Sequence, residues 1–139
     1  MSGDVPIRAL NGEEIRVISE TGAAKGTKPQ RYDLIPTLPL KLLAEQYGKG
    51  ADKYEPVNGK DNWRSGYPWS QSYTALQRHA NAFWSGEEMD DHDKDCAEGC
   101  QEHSGAPHLI AAAWHCFTLT QWMQDPKLRA QFDDRQDDA

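Results

Sequence analysis

The chain contains 139 residues, of which 37% are hydrophobic and 27% are charged, and its formal net charge is −7. A chain of this length is expected to form a single domain, residues 1–139, with a core of modest size. The acidity and the lack of a stripe of Lys and Arg argue against binding of double-stranded nucleic acid, because such binding rests on neutralising many phosphates.

The sequence also lacks the signals of a membrane or exported protein. No segment approaches the roughly 20 apolar residues that a membrane helix needs, and the N-terminus has no apolar core of the kind found in a signal peptide. The three cysteines are an odd number and do not make a disulfide framework. We therefore expect a cytoplasmic protein with no membrane partner.

The N-terminal segments predict a small β element followed by a loop. Residues 5–18 hold two short β-branched runs around Asn11-Gly12, a pair that suits a tight hairpin turn. Residues 19–35 are rich in Gly, Lys and Thr and predict an extended loop.

Residues 38–122 predict a helical core. The first helix begins near Leu38 and is interrupted by Gly48 and Gly50. The second helix opens at Pro68 or Ser70 and stops at Gly86. Its apolar face is marked by residues at helical spacing, namely Trp69, Tyr73, Leu76, Ala80 and Phe83.

The third helix follows an acidic insertion, residues 87–105. Ser104 is expected to cap this helix, with Pro107 in its first turn, and the helix runs to about Trp122. The acidic tail, residues 126–139, predicts a frayed or weakly helical end. The fold class is therefore mainly α, a small domain of about three core helices with a short N-terminal β-hairpin.

His79 and the carboxylates after the second helix form the first candidate site. His79 lies beside the apolar face of that helix, and Glu87, Glu88, Asp90 and Asp91 follow its end. Carboxylates are the ligands that Mg²⁺ takes, and enzymes acting on polyphosphates need such ions. The alternatives are a buried, hydrogen-bonded core histidine and a solvated acidic loop.

His108 and His115 lie on one stripe of the third helix. Seven residues at the helical rise put them about 10 Å apart along the axis. This separation is too large for one shared ion, but it suits one metal ligand and one group that touches a substrate. The alternative is that His115 is an interior polar residue.

Basic and aromatic residues in two loops are candidates for nucleotide binding. Lys25, Lys28 and Arg31 lie in a glycine-containing loop, and such loops can wrap phosphates. Asn62 and Trp63 can hold a nucleobase through an amide contact and ring stacking, or they can pin their own loop to the core.

The stretch HDKDCAEGCQEH, residues 92–103, has the spacing H-x3-C-x3-C-x2-H. His92, Cys96 and Cys100 share a helical face and His103 is one turn further, so the four side chains could bind a structural Zn²⁺. The spacing matches no common zinc finger. A mobile acidic loop and a redox-active pair of cysteines are the alternatives.

Several segments occur in an order that resembles a known family. They are GTKPQRYDLIP, GADKY, NW, W…ALQRHANAFWSGEEMD and SGAPHL, and they span roughly residues 22–122. The set resembles the phage and prophage proteins of the dATP/dGTP diphosphohydrolase N-terminal-domain family. The resemblance implies hydrolysis of a purine deoxynucleoside triphosphate to monophosphate and pyrophosphate in the host cytoplasm. It also implies a helical, metal-dependent site broadly similar to that of MazG-type pyrophosphohydrolases.

The motifs of that family fall on three places in this chain. Its Arg-His pair falls on Arg78-His79, its Gly-Glu-acid pattern on residues 86–88 with Asp90, and its Ser-Gly…His pattern on residues 104–105 with His108.

This chain also departs from the family's pattern. The family usually has a second histidine where this chain has Ala111, and an asparagine where this chain has His115. Much of 91–103 looks inserted relative to the family. No E-x-x-E…E-x-x-D pair is present, so a simple MazG assignment fails.

The leading hypothesis is a metal-dependent pyrophosphohydrolase. Its expected ligands to Mg²⁺ or Mn²⁺ are His79, Glu87, Glu88, Asp90 and His108. Its expected catalytic residues are His79, Glu87, Asp90, His108 and His115. Its expected nucleotide contacts are Lys25, Lys28, Arg31, Lys53, Asn62, Trp63 and Arg78.

Two other classes of function stay open. One is a non-catalytic phage protein that binds or sequesters a nucleotide, with a role in counter-defence, which Ala111 at an expected ligand position favours. The other is a scaffold that binds another protein through exposed Trp residues and the acidic tail. In each case we expect a homo-oligomer, because a small helical domain with many aromatic residues often completes its core by self-association.

Overall fold

The structure is a computed structural model that describes residues 5–7, 15–91, 96 and 103–135. Packing of the backbone divides the chain into two compact units, residues 1–36 and residues 37–139. The expectation that the whole chain forms one domain stays a prediction. Among the described residues, no helix is long and apolar enough to cross a membrane.

The first unit contains a three-stranded antiparallel sheet in the order β1-β2-β3. β1 is Val5–Ile7, β2 is Ile15–Ile18 and β3 is Ala24–Thr27. Pairing of β1 with β2 confirms the predicted N-terminal hairpin.

The prediction of a continuous loop over residues 19–35 is wrong at β3. The segment Ala-Lys-Gly-Thr has little β propensity of its own, but its backbone pairs along the whole of β2. The reversal before it is made by Gly22, whose φ of 87° few other residues adopt. A short 3₁₀ turn, Tyr32–Leu34, follows in the same segment.

The second unit is helical, which confirms the mainly α class. Its helices are α1 Thr37–Lys53, α2 Asn62–Ser65, α3 Trp69–Trp84, α4 His108–Met123 and α5 Pro126–Phe132. α4 lies at the centre, because it packs against α1, α3 and α5. Where the structure describes burial, the buried apolar side chains belong to this unit, namely Leu43, Trp69, Ala106, Ile110, Ala111, Ala112 and Trp122.

Two polar contacts fix the elements around α4. The buried Trp122 donates its indole N–H to the backbone carbonyl of Trp63 at 2.9 Å, which holds α2 against α4. Tyr47 of α1 shares a hydrogen bond of 2.8 Å with the buried hydroxyl of Thr118.

α1 runs without a break through Gly48 and Gly50, so the predicted interruption is wrong. Each glycine inside a helix costs only about 1 kcal/mol relative to alanine. Packing of the helix on α4, through Leu43 and Tyr47, outweighs that cost. A Cβ at either glycine would meet no atom within 4 Å, so their small size is not required for packing.

The buried face of α3 differs from the predicted one. Trp69, Ser72 and His79 are buried, whereas Tyr73 is 58% exposed and Phe83 is 38% exposed. The helix is rotated toward polar residues because these find partners on α4, as described below. Its predicted stop is confirmed, since the backbone beyond Ser85 turns at residue 86 with a φ of 102°.

α4 begins at His108 and not at Ser104, so the predicted cap is wrong. Pro107 pairs with Met89 in an isolated antiparallel bridge, which keeps the chain extended up to that residue. Helical backbone therefore starts one residue later, at His108.

The tail holds more regular structure than predicted. α5 is capped by the carboxylate of Asp125, which accepts hydrogen bonds from the N–H groups of Lys127 and Leu128. Beyond α5 the chain returns to the start of α3, where the Asp134 carboxylate accepts hydrogen bonds from the backbone N–H and the hydroxyl of Ser70.

Candidate functional site

A cluster of two histidines and one aspartate lies between α3 and α4. His79 comes from the last turns of α3, His108 is the first residue of α4, and Asp90 lies in the segment between them. Their exposed fractions are only 6%, 3% and 4%, respectively. One ligand atom from each side chain lies within 4.8 Å of the other two. We call this group the His-Asp-His cluster.

Backbone pairing brings Asp90 to the two histidines. The Asp90 N–H donates to the carbonyl of Ala106 at 2.9 Å, and the Asp90 carbonyl accepts from the N–H of Gly105 at 2.8 Å. On the other side of this pairing, the His108 N–H donates to the carbonyl of Glu88 at 2.8 Å. The start of the acidic segment is therefore held by backbone hydrogen bonds to the residues that lead into α4.

The protonation of the cluster suits a cation. Burial, followed by the nearby Arg78 charge, lowers the pKa of His79, so its imidazole is neutral near pH 7. Burial raises the pKa of Asp90, but hydrogen bonds from Ser104 outweigh that effect and the net pKa is lowered. The cluster thus offers an ionised carboxylate beside a neutral imidazole.

The ring nitrogens of the two histidines are not all satisfied by hydrogen bonds within the described part of the protein. The Nδ1 atoms of His79 and His108 lie 2.8 Å apart, so one of the two rings donates a hydrogen bond to the other. The Nε2 atom of His108 is buried and makes no well-aligned hydrogen bond, although the Glu87 carboxylate lies 3.2 Å away. Two imidazoles and a carboxylate are a set that Mn²⁺ and other transition-metal ions accept, so the residues fit a divalent ion.

A cavity of about 530 Å³ adjoins the cluster. Arg78, Glu87 and His103 line it together with Asp90 and His108. Of the expected metal ligands, the structure therefore brings three into one cluster and puts Glu87 at its edge. The Glu88 side chain is exposed, and the contact of this residue with the site is its backbone carbonyl, which accepts the hydrogen bond from the His108 N–H. That these five residues bind a metal ion stays a prediction.

His115 lies outside the His-Asp-His cluster, on a second hydrogen-bonded chain. Its Nδ1 is 2.9 Å from the buried hydroxyl of Ser72, which in turn is 3.2 Å from the hydroxyl of Tyr67. The imidazole ring stacks against that of His79, with centroids 6.4 Å apart. Burial, then the proximity of His79 and Arg78, lowers the pKa of His115 to about 4.

A second cavity, of about 490 Å³, is lined by aromatic rings. We call it the aromatic cavity, and its rings are those of Tyr47, Tyr54, Trp63, Tyr67, Trp114 and His115. Three of the expected nucleotide contacts, Lys53, Asn62 and Trp63, lie together on its wall. The two cavities adjoin, because His103 lines both.

The remaining expected phosphate contacts belong to the first unit. Arg31 is paired with Asp33 through two bonds of 2.7 and 2.8 Å, and the Lys25 ammonium donates to the carbonyl of Gly26. Their roles, with that of Lys28, stay predictions.

Sequence reasoning missed several residues of the aromatic cavity. The sequence pattern assigned no site role to Gln46, Tyr47, Lys49 or Trp114, which all line this cavity. No spacing in the sequence indicates these residues as pocket walls, because they meet only where α1 packs against α4.

The predicted zinc site lies partly outside the described residues, since His92 and Cys100 are not among them. Cys96 and His103 are described, and their Sγ and Nδ1 atoms are 3.3 Å apart. Zinc binding by the four stays a prediction.

The sequence model of one family, described as dATP/dGTP diphosphohydrolase, N-terminal, matches residues 19–135. The match covers most of the chain, so the chain belongs to this family, and the resemblance inferred from its motifs is confirmed. Searches among curated proteins and among solved structures returned no match.

Proposed function

We propose that the chain is a metal-dependent pyrophosphohydrolase that converts a purine deoxynucleoside triphosphate to its monophosphate and pyrophosphate. The His-Asp-His cluster carries the proposal, because a buried carboxylate and two imidazoles converge beside a cavity large enough for phosphate groups. The description of the family as a dATP/dGTP diphosphohydrolase supports the choice of substrate.

His79, Asp90 and His108 would hold a divalent ion. Two imidazole donors favour Mn²⁺ over Mg²⁺, which prefers oxygen ligands. When bound, such an ion supplies positive charge against the triphosphate and acidifies water in the site.

The other residues of the cavity have roles that follow from their positions. The Glu87 carboxylate, 65% exposed and beside His108, is placed to accept a proton from the attacking water. The water oxygen forms a bond to the α-phosphorus as the bond from that phosphorus to the bridging oxygen of the β-phosphate breaks, and pyrophosphate leaves. Arg78, on the same wall, offers a positive charge to the phosphates.

The test is ion-exchange chromatography of each dNTP after incubation with the protein and Mn²⁺ or Mg²⁺. We expect monophosphate and pyrophosphate from dATP and dGTP. Asp90→Asn should lower the rate by at least about 100-fold, because the cluster loses its charged donor. The same variant should weaken Mn²⁺ binding in calorimetry, a readout that does not depend on turnover.

Asp91→Asn is the matched control, since this neighbouring aspartate is exposed and lies outside the cluster. Equal rates for the two variants and the wild type would refute the site assignment.

A non-catalytic nucleotide-binding protein is the second candidate. Ala111 favours it, because this side chain is 4% exposed and offers no ligand where the family usually has a histidine. Stoichiometric binding of a dNTP that is then recovered intact would establish this function in place of hydrolysis.

A further inference from the structure

The aromatic cavity has walls that are fixed before any ligand binds. The rings of Tyr47 and Trp114 lie 5.3 Å apart, and those of Tyr47 and Trp63 lie 5.8 Å apart with nearly perpendicular planes. Tyr47 is held by its hydrogen bond to Thr118, and the backbone of Trp63 is held by Trp122. Rings that are already ordered lose little freedom when a flat ligand stacks on them.

One polar group on this wall has no partner. Gln46 lines the cavity, and its Oε1 atom is buried and accepts no hydrogen bond. An unsatisfied buried acceptor is unfavourable, so a ligand that donates a hydrogen bond to it gains affinity. A ligand with a hydrogen-bond donor at the edge of an aromatic ring would supply that partner.

We propose that the aromatic cavity binds the purine base of the nucleotide and that the Gln46 amide recognises the edge of that base. This inference rests on the proposed function for the identity of the ligand as a nucleotide. A cavity of about 490 Å³ lies within the range of ordinary small-molecule sites, about 300–1,000 Å³.

The amide of Gln46 can serve both purines. An amide carries one acceptor and a donor, and a half-turn of the group exchanges their positions. Adenine presents an amino donor beside a ring-nitrogen acceptor, and guanine presents a ring N–H donor beside a carbonyl acceptor. The same side chain therefore makes two hydrogen bonds with either base.

The position of the cavity agrees with a phosphate chain that reaches the His-Asp-His cluster. His115 lines the aromatic cavity and stacks on His79 of the cluster. His103 borders both cavities, so a base in one leaves the phosphates directed toward the other.

The test measures binding of dAMP and dGMP to the full chain by calorimetry, because these ligands cannot be hydrolysed to pyrophosphate. Gln46→Leu, which keeps the size of the side chain but removes both polar groups, should weaken both ligands by about tenfold or more. Gln121→Leu is the control, since this glutamine is exposed on α4 and lines neither cavity.

Gln46→Glu gives a sharper outcome, because a carboxylate only accepts hydrogen bonds. The variant should still bind dGMP, because the ring N–H and the amino group of guanine both donate hydrogen bonds to the carboxylate. It should bind dAMP weakly, because the ring nitrogen of adenine is an acceptor and faces another acceptor. We expect the ratio of the two affinities to shift toward dGMP by about tenfold or more. Thermal melting of each variant checks that it is folded.

Three results would separate this inference from the proposed hydrolysis. Gln46-dependent binding without any turnover of dNTPs would support the base site and refute the enzyme. Turnover of dNTPs by the wild type, with affinities for dAMP and dGMP unchanged in both Gln46 variants, would refute the base site and support the enzyme. Failure of the wild-type chain to bind either monophosphate would also overturn the inference.

Discussion

His115 illustrates how its surroundings set the chemistry of a single residue. The burial that lowers its pKa to about 4 keeps the imidazole neutral near pH 7, so it can exchange hydrogen bonds but carries no charge toward phosphates. Because the folded pKa lies below the ordinary value of 6.5, the unfolded chain binds more protons between these two pH values. Stability from this group is therefore complete above about pH 6.5 and is lost as the pH falls toward 4.

His115→Asn should flatten that dependence, since asparagine can still bond Ser72 but does not titrate. Wild-type stability should fall by about 2 kcal/mol more than that of the variant between pH 7 and pH 4. Urea unfolding at several pH values measures the difference. The lowered pKa of His79 acts in the same direction, so the variant should keep part of the slope. Parallel curves for the two proteins would contradict the assignment.

His79 shows how far single residues could be predicted. A buried, hydrogen-bonded core histidine was the alternative to a metal ligand there, and the structure shows that the side chain is buried and lies within hydrogen-bond distance of His108. The sequence could not show that His108 and Asp90 complete a cluster with it, because backbone pairing across the 87–108 segment brings them together. Gln46 carried no signal at all, since an unsatisfied amide is visible only once its neighbours are placed.

At the scale of elements, α5 depends on the absence of a side chain at Gly66. A Cβ there would lie 2.9 Å from Leu128 and 3.0 Å from Phe132, both on α5, and the residue has a φ of 79°. Gly66→Ala should therefore destabilise the protein by about 2–5 kcal/mol, through backbone strain and displacement of α5.

Gly86→Ala is the matched control, because Gly86 also has a positive φ but open space around it. Gly86→Ala should lower the free energy of unfolding by about 1–2 kcal/mol, through backbone strain alone. Thermal unfolding of the two variants measures both values. Equal losses would show that α5 does not press on residue 66.

The elements themselves were predicted in part, and the errors have one cause. Long helices with periodic apolar residues and the glycine stop of α3 could be found from local pattern. The missed strand β3, the unbroken α1 and the rotated face of α3 all depend on partners distant in sequence. Tertiary contacts supplied what local propensity did not.

For the whole molecule, net charge sets a condition on the proposed ligand. A chain with a charge of −7 repels a triphosphate, and among the described residues that line the cavity beside the cluster, Arg78 is the one cation apart from histidine. A divalent ion is then the main source of attraction for the phosphates.

Removal of divalent ions by a chelator should therefore weaken dATP binding by about tenfold or more, yet leave deoxyadenosine binding nearly unchanged. Calorimetry with and without added Mn²⁺ measures both. An equal effect on the two ligands would mean that the ion supports the fold and does not face the phosphates.

The segment at His103 and Ser104 has a consequence for how the two cavities act together. Lys49 of α1 donates to the carbonyl of Ser104 at 2.9 Å, and both residues, with His103, line the aromatic cavity. The same segment holds Asp90 through the Ser104 N–H. A nucleotide that fills both cavities would meet an ion at the cluster through its phosphates, so the binding of the two would be thermodynamically linked, and such linkage is reciprocal. The factor by which an ion raises the affinity for dATP must equal the factor by which dATP raises the affinity for the ion.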